Sequence, residues 1–187
     1  HLNLSLLFRF LNLNPKKKKN KGKRKKIDHD TSTTRITKGR SRDFLIRDVV
    51  NCMVLCNNVT PIYTGNEKNF QAFSPDEVAL VLKAEEFGVK LKARTQTKIT
   101  ITNALGVDED FRILANFPFS SERKRMGIIV QNASTKEITF YLKGADIVMK
   151  DMLMEVKRGY LLDECEYLSK EGLRTLVLTQ KTLNPVD

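Results

Sequence analysis

Histidine is nearly missing from this chain, and its two copies, His1 and His29, both lie close to the N-terminal end. A Ser-His-Asp or Cys-His nucleophilic centre therefore has no base in the remaining sequence. Cysteine is sparse as well: Cys52, Cys56 and Cys165 are odd in number and lack the spacing of a disulfide scaffold, which fits a reducing compartment. Cys52 and Cys56 stand at i and i+4 on one helix face, and two ligands cannot close a zinc site, so the cysteines read as small core residues. No GxxxxGK[ST] loop cradles phosphates, and no GxGxxG follows a strand. No apolar run is long enough to span a bilayer; the Leu-rich opening at 1–14 is short, interrupted by Arg9, and lacks the basic start of a signal peptide.

Charge of one sign is unevenly placed. The formal net charge of +11 resembles a nucleic-acid signal until it is located. Residues 16–26, KKKKNKGKRKK, hold nine cations and no acid, and setting them aside leaves 24 basic against 22 acidic residues. No aromatic residue interleaves those lysines, so the run offers no stacking platform for bases and no specific nucleic-acid recognition. Residues 1–41 thus read as a low-complexity basic tail or linker, disordered by self-repulsion, and residues 42–187 as one domain. An alternative use of residues 16–26 is a basic module for anionic lipid or RNA.

Beyond residue 42 the periodicity is that of an α+β fold. Phe44, Leu45, Val49, Cys52, Met53 and Cys56 recur at helical spacing. Residues 59–73, with Pro61 and Gly65, read as loop with room for one short strand. Ser74-Pro75-Asp76-Glu77 opens a second helix as a capping box, with Pro at N1 and acids at the positive end of the dipole, and Gly88 stops it. Strands follow at 89–93, 98–102, 110–117 and 126–131, and the turn at 132–136 leads into another at 137–142. Helices at 145–154 and 161–170 and a closing strand at 173–179 complete the domain. The expected architecture is a largely antiparallel, twisted sheet of about six or seven strands flanked by helices.

Four stretches carry the functional signal: Ser74-Pro75-Asp76-Glu77, Phe117-Pro118-Phe119-Ser120-Ser121-Glu122-Arg123-Lys124-Arg125-Met126, Lys143-Gly144-Ala145-Asp146 and Glu171-Gly172-Leu173-Arg174-Thr175-Leu176. The second sets an aromatic ring beside fixed cations, which suits an aromatic base that carries phosphates. Each also has a plain structural reading: Glu77 as capping-box carboxylate, Phe119 as core, Lys143 as a solvated strand-end lysine, Arg174 as the partner of a surface acid such as Glu171. In this order the four resemble the nucleotide-binding (N) domain of P-type ATPases over about residues 42–184. The Ser-Pro-Asp-Glu form, with the Arg-Met-Gly-Ile-Ile-Val continuation, resembles the phospholipid-translocating branch, the lipid flippases, more than the ion-transporting pumps that are the alternative within the family.

That resemblance implies a twisted antiparallel sheet and an ATP site. It implies that Glu77 accepts from the adenine amino group, Phe119 stacks on the ring, and Lys143 and Gly144 line the adenine pocket. Arg174 reaches the phosphate end, where its five donors suit phosphate oxygens. Lys124 and Ser121 stand at the rim, Ser121 where other P-type pumps often carry Arg. The phosphorylated Asp-Lys-Thr-Gly-Thr, the Thr-Gly-Asp hinge and the Thr-Gly-Glu dephosphorylation loop are absent from these 187 residues. The resemblance therefore implies a cytosolic piece of an integral membrane pump that binds ATP and ADP, has no catalytic residue of its own and holds no metal. The phosphorylation domain, with its Mg²⁺ and acceptor Asp, and the actuator domain would be its partners in the same chain.

Overall fold

The computed structural model describes residues 3–7, 42–65, 67–153 and 155–184. Among the described residues, nine strands and four α-helices run in the order β1 (Asn3–Leu7), α1 (Arg42–Leu55), β2 (Thr60–Thr64), β3 (Glu67–Gln71), α2 (Pro75–Glu86), β4 (Lys90–Arg94), β5 (Lys98–Thr102), β6 (Asp108–Phe117), β7 (Arg125–Asn132), β8 (Ile138–Gly144), α3 (Asp146–Met149), α4 (Glu155–Lys170) and β9 (Val177–Leu183). A 3₁₀ turn, Lys150–Met152, links α3 toward α4. Seven strands form one antiparallel sheet in the order β1-β9-β8-β7-β6-β5-β4, and β2 and β3 make a separate hairpin. The α+β, mostly antiparallel architecture expected from the periodicity is what the chain adopts.

Alternation along the central strands builds two cores, one on each face of the sheet. On β7, Met126, Ile128 and Val130 join Tyr141 of β8 and Leu178 of β9 beneath α1 and α2. Their sequence neighbours Leu142 and Val177 face the other way, against Met149, Leu161 and Cys165 of α3 and α4. The sheet is thus sandwiched between helix layers, α1 and α2 on one side and α3 and α4 on the other. Val49, Cys52 and Met53 in α1, and Cys56 just past its end, are buried as their spacing predicts, whereas Phe44 is half exposed, its ring lying beneath the Arg47 guanidinium. The helix ends because Asn57 turns its amide back: Nδ2 donates to the carbonyls of Met53 and Val54, and Oδ1 accepts from Val59 N–H.

Four expectations are corrected. Residues 60–71 form a hairpin rather than a loop with one short strand; Pro61 fits because its partner strand is β3 alone, so no central ladder loses a donor. The closing strand begins at Val177, four residues later than the apolar pattern places it, so Arg174 sits in the connection after α4. The helix expected at 145–154 is one turn of α3 followed by the 3₁₀ turn, and α4 begins at Glu155, ahead of the expected Leu161. Finally, Asn3–Leu7, inside the segment read as a disordered tail, is a strand on the open edge of β9; its Asn-Leu-Ser-Leu start has the period-two alternation that a strand requires. The rest of that segment, including the basic run at 16–26, lies outside the described residues.

Candidate functional site

Ser74 caps α2 with extended backbone, its Oγ accepting from Asp76 N–H at 3.2 Å, and Pro75 follows at the first helical position. This fixes the first turn of α2 over the C-terminal end of β8, where two ion pairs bridge distant parts of the chain. Lys143 Nζ donates to Glu77 Oε1 at 3.0 Å across 66 positions of sequence, with side chains only 6% and 13% exposed. Arg174 reaches Asp76 at 2.9 Å from the connection after α4, both side chains in solvent.

The plain structural readings of these residues fare differently. Lys143 is not a solvated strand-end lysine: it lies on the face of β8 that carries Tyr141, inside the core under α2. Glu77 directs its carboxylate to Lys143 rather than acting as the return half of a capping box. Its Oε2 accepts no hydrogen bond from the described residues, which leaves an acceptor at the helix N-terminus. Arg174 pairs with Asp76, not with Glu171. Phe119 is 58% exposed and so is not a core residue.

Phe119 stands on the connection between β6 and β7, which a serine and a backbone contact shape. Ser120 Oγ accepts from Arg123 N–H at 3.2 Å and Nε at 3.1 Å, and Ser120 O accepts from Lys124 N–H at 2.8 Å. Ser121 is exposed on that turn. Lys124 takes a left-handed backbone, φ 49°, and its carbonyl accepts from Ala145 N–H at 3.1 Å. Here Gly144 has a reason that its sequence does not reveal. A Cβ at Gly144 would fall 2.7 Å from Arg125 Cβ and 2.8 Å from Lys124 O, so the missing side chain is filled by the neighbouring strand rather than left open to a ligand. The Lys143-Gly144-Ala145 and Ser120–Lys124 stretches are therefore locked together at one end of the sheet.

Two groups beneath the Glu77–Lys143 pair make contacts that sequence reasoning does not reach. Arg94, at the end of β4, donates to Leu55 O at 3.3 Å; burial lowers its pKa, opposed by the nearby Cys56 and Glu77. The Cys56 thiol contacts the carbonyls of Met126 and Tyr141 at 3.8 Å, and burial pushes the neighbouring Cys52 thiol well above its ordinary pKa. Only the tertiary fold brings them there. Among the described residues no group of three or more His, Cys, Asp or Glu is disposed to hold a metal ion, and no helix is long and apolar enough to cross a membrane.

A family model for the P-type ATPase cytoplasmic domain N matches residues 45–187. This chain belongs to that family. As a P-type ATPase N domain it is 42% identical over 146 residues to the probable phospholipid-transporting ATPase tat-5 of Caenorhabditis elegans, covering 76% of this chain and 13% of that protein. It is 41% identical over 157 residues to the human probable phospholipid-transporting ATPase IIB, covering 74% of this chain and 14% of that protein. To the phospholipid-transporting ATPase neo1 of Schizosaccharomyces pombe it is 44% identical over 155 residues, 81% of this chain and 14% of that protein. The N domain thus spans about one-seventh of the length of these relatives.

Proposed function

We propose that this N domain binds ATP for a phospholipid-transporting P-type ATPase and presents its γ-phosphate to an Asp carried by another domain of the pump. What most supports the reading is the juxtaposition of Glu77 and Lys143, brought from α2 and β8 to one end of the sheet, where Lys143-Gly144-Ala145 is tied to the segment that carries Phe119. The chemistry of the residues fits the ligand. Glu77 Oε2 is an acceptor for an exocyclic amine, and the exposed Phe119 ring is a face for a purine. Lys143 has donors beyond the one it gives Glu77. Arg174 is an exposed cation that would receive the phosphates, Gly144 would line the adenine pocket beside Lys143, and the exposed Lys124 and Ser121 would stand at the rim. ATP supplies the phosphoryl group; the residues here bind and orient it.

The wider assignment follows from the relatives, which are named as phospholipid-transporting ATPases. The substrate of the whole pump would be a phospholipid, and its Mg²⁺ would be held with the acceptor Asp outside this domain. The phosphorylation and actuator domains would be the N domain's partners, and it would work on the cytosolic side by rigid-body closure. Titration of ATP into Phe119→Ala tests the binding reading. Stacking is worth about 0.5–1.5 kcal/mol beyond burial, so affinity should fall roughly tenfold with the melting temperature held, because the ring is exposed. Unchanged affinity in the folded variant would remove Phe119 from the site.

A further inference from the structure

A cavity of about 250 Å³ opens on the other face of the sheet, behind the segment that carries Phe119. Its walls are apolar: Phe117 and Phe140, edge to face with centroids 5.9 Å apart, with Leu142 and Met152. Gly127 forms part of the floor, where a Cβ would come within 2.9 Å of the Phe140 ring and 3.0 Å of Leu142 Cδ1, so a side chain there would crowd the recess. Pro118 and Met126 also line it, with Arg123 and Arg125 as its two cations, and among the described residues no acid does. Arg123 is held in place by Ser120 Oγ at 3.1 Å and by Pro118 O at 3.4 Å. Arg125, half-buried at the start of β7, makes no ion pair with the described residues.

From this we infer a second ligand site, one for a small amphiphilic anion: a single carboxylate or phosphate on a short acyl or alkyl chain. Two cations over an apolar floor leave a charge imbalance that a neutral ligand does not answer and a multiply charged, wholly polar ligand cannot use. A guanidinium takes a carboxylate or phosphate through paired donors, and Arg123 already has its fork oriented. The cavity lies below the roughly 300–1,000 Å³ of sites for drug-sized molecules, so it suits one short chain rather than a double-chained lipid. The site stands apart from the Glu77–Lys143 pair: Gly127 and Leu142 face this cavity, whereas Lys143, next to Leu142 on β8, faces the opposite core, and Met126 near the start of β7 borders both.

Calorimetric titration of the 187-residue chain with octanoate, octyl phosphate and octanol tests the site. At least one of the two anions should bind saturably below roughly 10 mM, with octanol about tenfold weaker or worse. Octanoate alone would assign a carboxylate head group, octyl phosphate alone a phosphate, and both together the shared anionic chemistry. Arg125→Gln should weaken the bound anion about tenfold, as loss of a charge-assisted pair requires. If that variant melts early, Arg123→Gln, whose side chain is exposed, gives the same reading. Equal affinity for octanol, no saturable anion binding in that range, or unchanged affinity in a folded Arg variant would overturn the inference.

Discussion

Glu77→Gln is the substitution whose outcome the structure constrains most tightly. It keeps the shape of the side chain and removes one charge from a pair in which Lys143 is 6% exposed and Glu77 13%. Lys143 then keeps its ammonium within the core, without the carboxylate that compensates it. Removing one partner of a buried pair costs about 3–5 kcal/mol, and losing an anion at the α2 N-terminus adds about 0.3–1 kcal/mol. At about 2–4 °C per kcal/mol for a domain of this size, the melting temperature should fall by roughly 7–24 °C. Lys143→Met is the informative opposite. It leaves Glu77 at a helix N-terminus that favours the anion and near enough to solvent for Oε2 to be hydrated, so the loss should be about 1–3 kcal/mol. The double variant should be more stable than Glu77→Gln alone, because the uncompensated ammonium has gone. Urea unfolding of the four proteins gives the coupling directly. A Glu77→Gln loss below about 1 kcal/mol, or strict additivity in the double variant, would refute the buried-pair reasoning.

Other outcomes follow from the same geometry. Gly144→Ala forces a methyl against Arg125 Cβ and Lys124 O, and should cost about 1–3 kcal/mol in chemical denaturation, with ATP affinity falling as the Lys124 turn shifts. Arg174→Ala should leave the melting temperature nearly unchanged, because its pair with Asp76 is solvent-exposed and worth at most about 1 kcal/mol, while ATP titration shows a clear loss of affinity. Burial pushes the Cys165 thiol up to about 12 in the folded state, so its contribution is full below the ordinary thiol range and is lost as pH rises through the folded value. Stability followed from about pH 8.5 upward should therefore decline, and less steeply in Cys165→Ala.

Much of the fold was legible because its local signals agree. Ser74-Pro75 marks the start of α2, Gly88 with φ 84° marks its end, and the alternation in Lys98–Thr102 gives strand β5 residue for residue. Periodicity failed where pairing decided the outcome: β2 and β3 have weak patterns and exist through each other, and β9 is shifted by its register with β8. For the site, the four stretches could be picked out, but not what their residues touch. Lys143 looks like a strand-end lysine because neither its burial nor Glu77, 66 positions away, is written locally. Arg94 carries no local signal at all, and the helical spacing that marks Cys56 as core does not say which carbonyls its thiol meets. Nor does the sequence say what the missing side chain of Gly144 makes room for, since that can be a ligand or a neighbouring strand.

The sheet order has a consequence for how the chain reaches its native state. From β4 to β8 each strand pairs with its immediate successor in sequence, so these ladders can zip up hairpin by hairpin, each closing only a short loop. Like β1 on its distant partner β9, helix α1 is an exception. Its end packs Cys56 against the carbonyls of Met126 and Tyr141, 70 and 85 residues further along the chain. Closing that contact early would cost the entropy of a long loop, whereas closing it late is cheap, because the meander has already drawn the intervening chain together. The meander is therefore expected to form first and α1 to dock last. A methyl deleted from Ile128 should slow refolding, while Val49→Ala on α1 should mainly speed unfolding.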